Sequence, residues 1–228
     1  MRRGNGIVEV SQPRYSLVGS IKAAMKAITL SPIVCALLLS ACASKPPQPQ
    51  SQAAPKQATA PPSGFERTLE LQGIRFQVSC SNSSSTNKLV ITPAGLEIDN
   101  SPITRDVDGT VTGAEIADLN VDGSPEIYIY ATSAGSGSYA SLVAYSANKR
   151  KSLSEIFLPP VAENPKARVG YMGHDDFAVV EGTLVQRFPI YGKGDTNAKP
   201  SGKTRQVQYK LKQGEASWVL KVDHIVEF

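Results

Sequence analysis

The 228-residue sequence predicts an all-β fold: an antiparallel β-sandwich of two packed sheets, preceded by a signal peptide and a disordered tether. Three observations carry that expectation. Short apolar runs recur about every 8 to 12 residues from Phe65 to Phe228, with turn residues between them, which is the rhythm of short strands joined by tight loops. No stretch there keeps a long apolar period of about 3.6 residues. Where alternation is clearest, Val207, Tyr209 and Leu211 share one face and Gln206, Gln208 and Lys210 the other, so each such strand has one face to bury. Two stacked sheets satisfy that need.

From the N-terminus, residues 1–41 read as a signal peptide. Ala27–Ala41 is apolar and follows Lys22 and Lys26, and it is too short to span a hydrocarbon core of about 30 Å. It ends in Leu39-Ser40-Ala41-Cys42, which resembles the bacterial lipobox. That resemblance implies a diacylglycerol on Cys42, which becomes the mature N-terminus; Met25 is an alternative start. Residues 42–63 form the lipidated Cys and its linker, because Ala43–Ser63 contains no Val, Ile, Leu or aromatic residue and has nothing to build a core from. Several acyl chains give stable membrane attachment. Ala43 rather than Asp after the Cys is similar to outer-membrane lipoproteins, so the expected location is periplasmic and lipid-anchored to the outer membrane. With Cys35 lost and Cys42 acylated, Cys80 stays unpaired and is read as a small buried residue.

Charge excludes one class of partner. The formal net charge of +4 resides entirely in residues 1–42, leaving 19 basic against 19 acidic residues beyond them. A nucleic-acid footprint needs a basic domain, and residues 64–228 do not form one.

Within that domain, Thr68–Leu71 and Ile74–Val78 read as a hairpin around Gln72-Gly73, and Lys88–Thr92 and Leu96–Asp99 as strands flanking Pro93-Ala94-Gly95. Glu126–Thr132, Ser141–Ser146, Ser154–Leu158, Phe177–Val180, Thr183–Pro189, Arg205–Leu211 and Trp218–Val226 complete the expected strands. Gly192–Lys203 is a long polar loop expected to be mobile, and Lys149-Arg150-Lys151 a solvated turn tip.

Few residues offer chemistry. Asp118, Asn120 and Asp122 precede Gly123 in the first half of a calcium loop, but the twelfth position is Ile129 where an EF-hand needs Glu. Glu126 could close a shorter loop around a cation, and an Asx-stabilised turn needs the same residues; both readings stand, with no metal expected. His174-Asp175-Asp176 places an imidazole beside two carboxylates, yet adjacent extended residues face opposite ways, so zinc is not expected. No phosphate loop and no G-x-S-x-G elbow occurs, and no carboxylate pair stands out among the acids. Catalytic residues and cofactors are therefore none. Ser133–Ala140, SAGSGSYA, joins two strands, with glycines that allow close approach to a partner and Tyr139 as a rigid ring with a polar tip. A plain flexible connection is the alternative reading.

The segments GLEIDNSPIT, VTGAEIADLNVDGSPEIYIY, SAGSGSY and SLVAYS, and then YMGHDDFAVVEGTLVQRFPIY, GDTNAKPSG and QVQYKL, together resemble the periplasmic inhibitors of invertebrate-type (I-type) lysozyme. The signature is an S-G-x-Y loop, here Ser136-Gly137-Ser138-Tyr139. The resemblance implies a β-sandwich inhibitor, not an enzyme, that inserts this loop into the lysozyme cleft and so protects peptidoglycan against host defence. It also implies a homodimer. A lipobox and tether are more typical of membrane-bound inhibitors of chicken-type lysozyme, so the location is read from the signal and not from the family. The flanking strands and internal hydrogen bonds are expected to hold the loop rigid when free, because ordering it on binding would cost affinity. Two other functions remain open: a calcium-dependent adhesion or binding module, and a cell-wall hydrolase or accessory lipoprotein.

Overall fold

The computed structural model describes residues 64–228. The readings placed on Met25, Cys35, Cys42 and the tether lie outside the described residues. Among the described residues twelve strands build two sheets. The first sheet holds β1 (Phe65–Leu71), β2 (Ile74–Cys80), β3 (Thr86–Ala94) and β4 (Ile103–Asp108) in chain order. The second contains β5 (Thr110–Ala117), β6 (Glu126–Thr132), β7 (Ala140–Asn148), β8 (Ser152–Phe157), β9 (Asp176–Val180), β10 (Thr183–Pro189), β11 (Thr204–Gln213) and β12 (Trp218–Glu227), in the spatial order β5-β6-β7-β8-β12-β11-β10-β9. Its one parallel junction is β8 with β12, paired at Ile156 with Trp218 and Phe157 with Val219.

The expected hairpin is present: Gln72 (φ 53°) and Gly73 (φ 76°) turn the chain so that Leu71 pairs with Ile74, as a two-residue turn with both positions left-handed requires. Period-2 alternation then sends Ile74, Phe76, Val78 and Cys80 into one core with Leu89 and Ile91 of β3. Each such fully buried Ile, Phe or Val contributes about 1.5–3 kcal/mol of transfer free energy. Cys80 is the buried small residue expected of it.

The second sheet departs from the expectation that each strand keeps a wet face. Six of the seven residues of β6 are buried. Ile127, Ile129 and Ala131 enter the core shared with the first sheet, whereas Tyr128 and Tyr130 enter a second core with Phe177, Leu184, Phe188, Val207, Tyr209 and Leu220. That second core exists because the eight-stranded sheet curls until its edge strands meet. Glu115 on β5 accepts hydrogen bonds from the Tyr130 hydroxyl at 2.6 Å and from the Val179 amide on β9 at 2.8 Å.

Other differences have local causes. Leu96–Asp99 is not a strand. Its amides are taken by Arg150 and Lys151 carbonyls, and Asn100 caps both the N–H and the C=O of Leu96. Strands β4 and β5 escaped the sequence reading because Thr, Gly, Ala and charged residues dilute their apolar pattern. Gly109 (φ 96°) takes the chain from one sheet to the other, and a Cβ there would lie 2.0 Å from the Thr132 carbonyl oxygen. At the Lys149-Arg150-Lys151 turn both lysines are exposed as expected, but Arg150 is half-buried and its guanidinium donates to the Gln72 carbonyl at 2.9 Å, tying the β7–β8 turn to the first hairpin.

Candidate functional site: the Ser136–Tyr139 loop

The loop between β6 and β7 projects from the end of the doubly buried strand β6. Thr132 pairs with Ala140 at its base, and inside the loop the Ser133 amide donates to the Tyr139 carbonyl at 2.9 Å and the Ser138 amide to the Gly135 carbonyl at 2.9 Å. Ser138 takes the left-handed conformation (φ 42°) that this turn demands. Ser136 and Tyr139 are exposed, Tyr139 by 47%. The phenol ring stands edge-on to Tyr171 (centroids 5.8 Å apart, planes at 73°), and Tyr171 in turn meets the buried Phe188 at 4.7 Å and 69°.

Two further segments hold the loop, a feature the sequence reading did not foresee. From residues 170–175, the His174 amide donates to the Gly137 carbonyl at 2.7 Å. A Cβ on Gly173 would lie 2.2 Å from that same oxygen. Asp175 accepts from the Ala140 amide at 3.0 Å and from the Tyr171 hydroxyl at 2.7 Å. Burial pushes the Asp175 carboxyl above the usual carboxylate range, opposed by those two hydrogen bonds. Burial and the Asp175 carboxylate likewise raise the Tyr171 phenol. From the Gly192–Lys203 segment, Asn197 donates to the Ser136 carbonyl and lies 3.1 Å from His174 Nε2. Within this segment Asp195 accepts from the amides of Gly192 (2.7 Å) and Ser201 (2.8 Å) and from the Ser201 hydroxyl, bonds that hold its carboxyl below the usual range.

The Asp118–Asp122 turn lies elsewhere, between β5 and β6. Carboxylate oxygens of Asp118, Asp122 and Glu126 all lie within 4.8 Å of one another. Asp118 accepts from the amides of Asp122 and Gly123 and from Gln72, Asp122 from the Ser124 amide and the Asn120 side chain, and fully buried Glu126 from the Leu119 amide. The polar side chains thus satisfy the backbone of a turn whose Val121 and Gly123 are left-handed. Burial, reinforced by the charges of Asp118 and Asp122, pushes Glu126 up to about 8.

Exposed Ser and Tyr on a braced hairpin tip offer donors, an acceptor and an aromatic face, but no nucleophile–base pair. Residues 99–164 match the family model of the periplasmic lysozyme inhibitor of I-type lysozyme. The resemblance seen in the sequence is borne out over that span, which contains the whole Ser136–Tyr139 loop and the Asp118–Asp122 turn. The match supports reading the chain as a periplasmic lysozyme inhibitor. No curated protein and no solved structure matches the chain. The bracing residues Tyr171, His174, Asp175 and Asn197 lie outside the matched span. Their one sequence signal was the likeness of YMGHDDF and GDTNAKPSG to the inhibitors, which says nothing of whom they touch.

Proposed function

We propose that this protein inhibits I-type lysozyme by inserting the Ser136-Gly137-Ser138-Tyr139 loop into the active-site cleft, shielding the bacterial cell wall. The observation that supports this most is the pairing of exposed Ser136 and Tyr139 on a loop fixed from both sides. A lysozyme keeps one carboxyl protonated as general acid and a second one ionised, in a groove shaped for sugar rings. The Ser136 hydroxyl both donates and accepts, so it can bond the ionised carboxylate and the protonated acid together, as a sugar oxygen does. Tyr139 fills a sugar subsite with its ring and bonds through its hydroxyl, the profile of an interface hot spot. Lipid attachment at Cys42, an outer-membrane location and a homodimer belong to the same proposal.

The test is a turbidity assay with the full chain against I-type, chicken-type and goose-type lysozymes. Inhibition of the I-type enzyme, with Tyr139→Ala losing at least about 2 kcal/mol of binding, is the expected result. A Tyr139→Ala variant as potent as the parent overturns the loop mechanism, and inhibition of the other types alone overturns the specificity.

A further inference from the structure

We infer that Asp175 and Asn197 are positioning residues that set the inhibitory shape of the loop before lysozyme arrives; the inference rests on the loop mechanism proposed above. Neither residue belongs to the loop, and both come from the far side of the curled sheet, ahead of β9 and between β10 and β11. They grip opposite ends of it. Asn197 donates to the Ser136 carbonyl, while its Oδ1 faces His174 Nε2 at 3.1 Å and its own carbonyl accepts from the Tyr191 hydroxyl at 2.9 Å. The Ser136 backbone is thereby fixed where the hydroxyl departs from it. At the other end, Asp175 Oδ2 takes the Ala140 amide, the first residue after Tyr139, together with the Tyr171 hydroxyl. That second bond sets the ring against whose face and edge Tyr139 rests, with Phe188 behind it.

The burial of Asp175 makes the assignment specific. The residue is 9% exposed, and its Oδ1 is buried without a hydrogen-bond partner. Folded proteins seldom leave a buried carboxylate oxygen unpaired, because that group keeps its full desolvation cost. A side chain serving the stability of β9 alone would be better replaced by an apolar one. What Asp175 adds is two directed bonds to the loop and to the ring under it. A loop already in its binding shape gives up little conformational entropy on association, and that saving appears as affinity.

The experiment compares Asn197→Ala, Asp175→Ala, Asp175→Asn and, as a control in the first sheet, Val78→Ala, by inhibition constant against I-type lysozyme, binding entropy from calorimetry, and melting temperature. Asn197→Ala, which alters a surface loop and remains folded, is expected to weaken inhibition about tenfold through a less favourable binding entropy. Asp175→Ala does at least as much. Asp175→Asn keeps one oxygen for both donors and stays within about threefold of the parent, whereas Val78→Ala lowers the melting temperature and leaves the inhibition constant unchanged. The inference is overturned if Asn197→Ala and Asp175→Ala inhibit like the parent while Tyr139→Ala does not, or if Val78→Ala weakens inhibition in proportion to its lost stability. If Tyr139→Ala inhibits like the parent as well, the loop mechanism itself has failed and the positioning role falls with it.

Discussion

Replacing Gly137 by alanine would test the loop geometry while leaving every contacting side chain in place. A Cβ built at Gly137 lies 2.3 Å from Cε2 and 2.8 Å from Cδ2 of Tyr139, and the Gly137 backbone is not in the left-handed region. The methyl group therefore meets no backbone strain; it collides with the phenol ring, which is free to swing away. Leaving Tyr171 forfeits an edge-to-face contact of about 0.5–1.5 kcal/mol, offset in part by about 0.4–1 kcal/mol from a stiffer unfolded chain. Net stability then changes by less than about 1 kcal/mol, a shift of a few degrees at most for a domain of this size. Binding suffers more. Tyr139 must be brought back against the methyl group, at about 1–2 kcal/mol, so inhibition weakens about 5- to 30-fold. Turbidity clearing of cell suspensions by I-type lysozyme gives the inhibition constant, and calorimetric melting gives the stability. A Gly137→Ala variant that inhibits as well as the parent would refute the idea that the position of Tyr139 on Tyr171 is the bound one.

Glu126 should make the fold less stable as pH rises. Its carboxyl is pushed from 4.5 to about 8 in the folded state, so its contribution is complete below about pH 4.5 and is lost progressively up to about pH 8. Between pH 5 and pH 8 the loss reaches about 3 kcal/mol; Glu126→Gln, followed by urea unfolding at both pH values, should lack that slope, and equal slopes would refute it. Because hydrogen bonds already occupy the Asp118 and Asp122 carboxylates, millimolar calcium should leave the melting temperature unchanged, and a clear rise would make this turn a cation site. Gly109→Ala should destabilise the domain by about 3 kcal/mol, since its Cβ would lie 2.0 Å from the Thr132 oxygen at a φ of 96°; a melting temperature equal to the parent's would contradict that.

Strands whose apolar residues alternate, such as β2 and β11, were legible from periodicity because the core they face selects every second side chain. The β6 run EIYIYAT was legible as a strand but not as one buried on both faces. Nothing in seven residues says that a sheet closes behind them. For β4 and β5 the decisive features are a conformation open to glycine at Gly109 and a carboxylate, Glu115, that does the work of a missing strand partner. Neither is an apolar pattern. The loop itself could be found from its glycines, hydroxyls and ring, whereas its supports could not. In the sequence Asp175 stands out only within His174-Asp175-Asp176, a run in which no zinc site is expected. In the fold Asp175 and His174 serve different ends of the loop, one through a side-chain carboxylate and the other through a backbone amide.

The closure of the second sheet connects these observations. In a flat eight-stranded sheet, the segments before β9 and between β10 and β11 would be far from the β6–β7 turn, because β5 and β9 are opposite edges. Curling brings those edges together at Glu115, whose bond from the Val179 amide of β9 stands where a ladder is missing, while the same oxygen is held by the Tyr130 hydroxyl of the neighbouring β6. Only then can Gly173, His174, Asp175 and Asn197 reach the loop. A tip held solely by its own hairpin would sample many shapes and lose affinity in adopting one; a tip embraced by the opposite edge of its own sheet does not. The two cores divide the labour accordingly. The one shared with the first sheet fixes β6 from behind, and the one inside the curl carries the Phe188–Tyr171–Tyr139 stack outward to the surface.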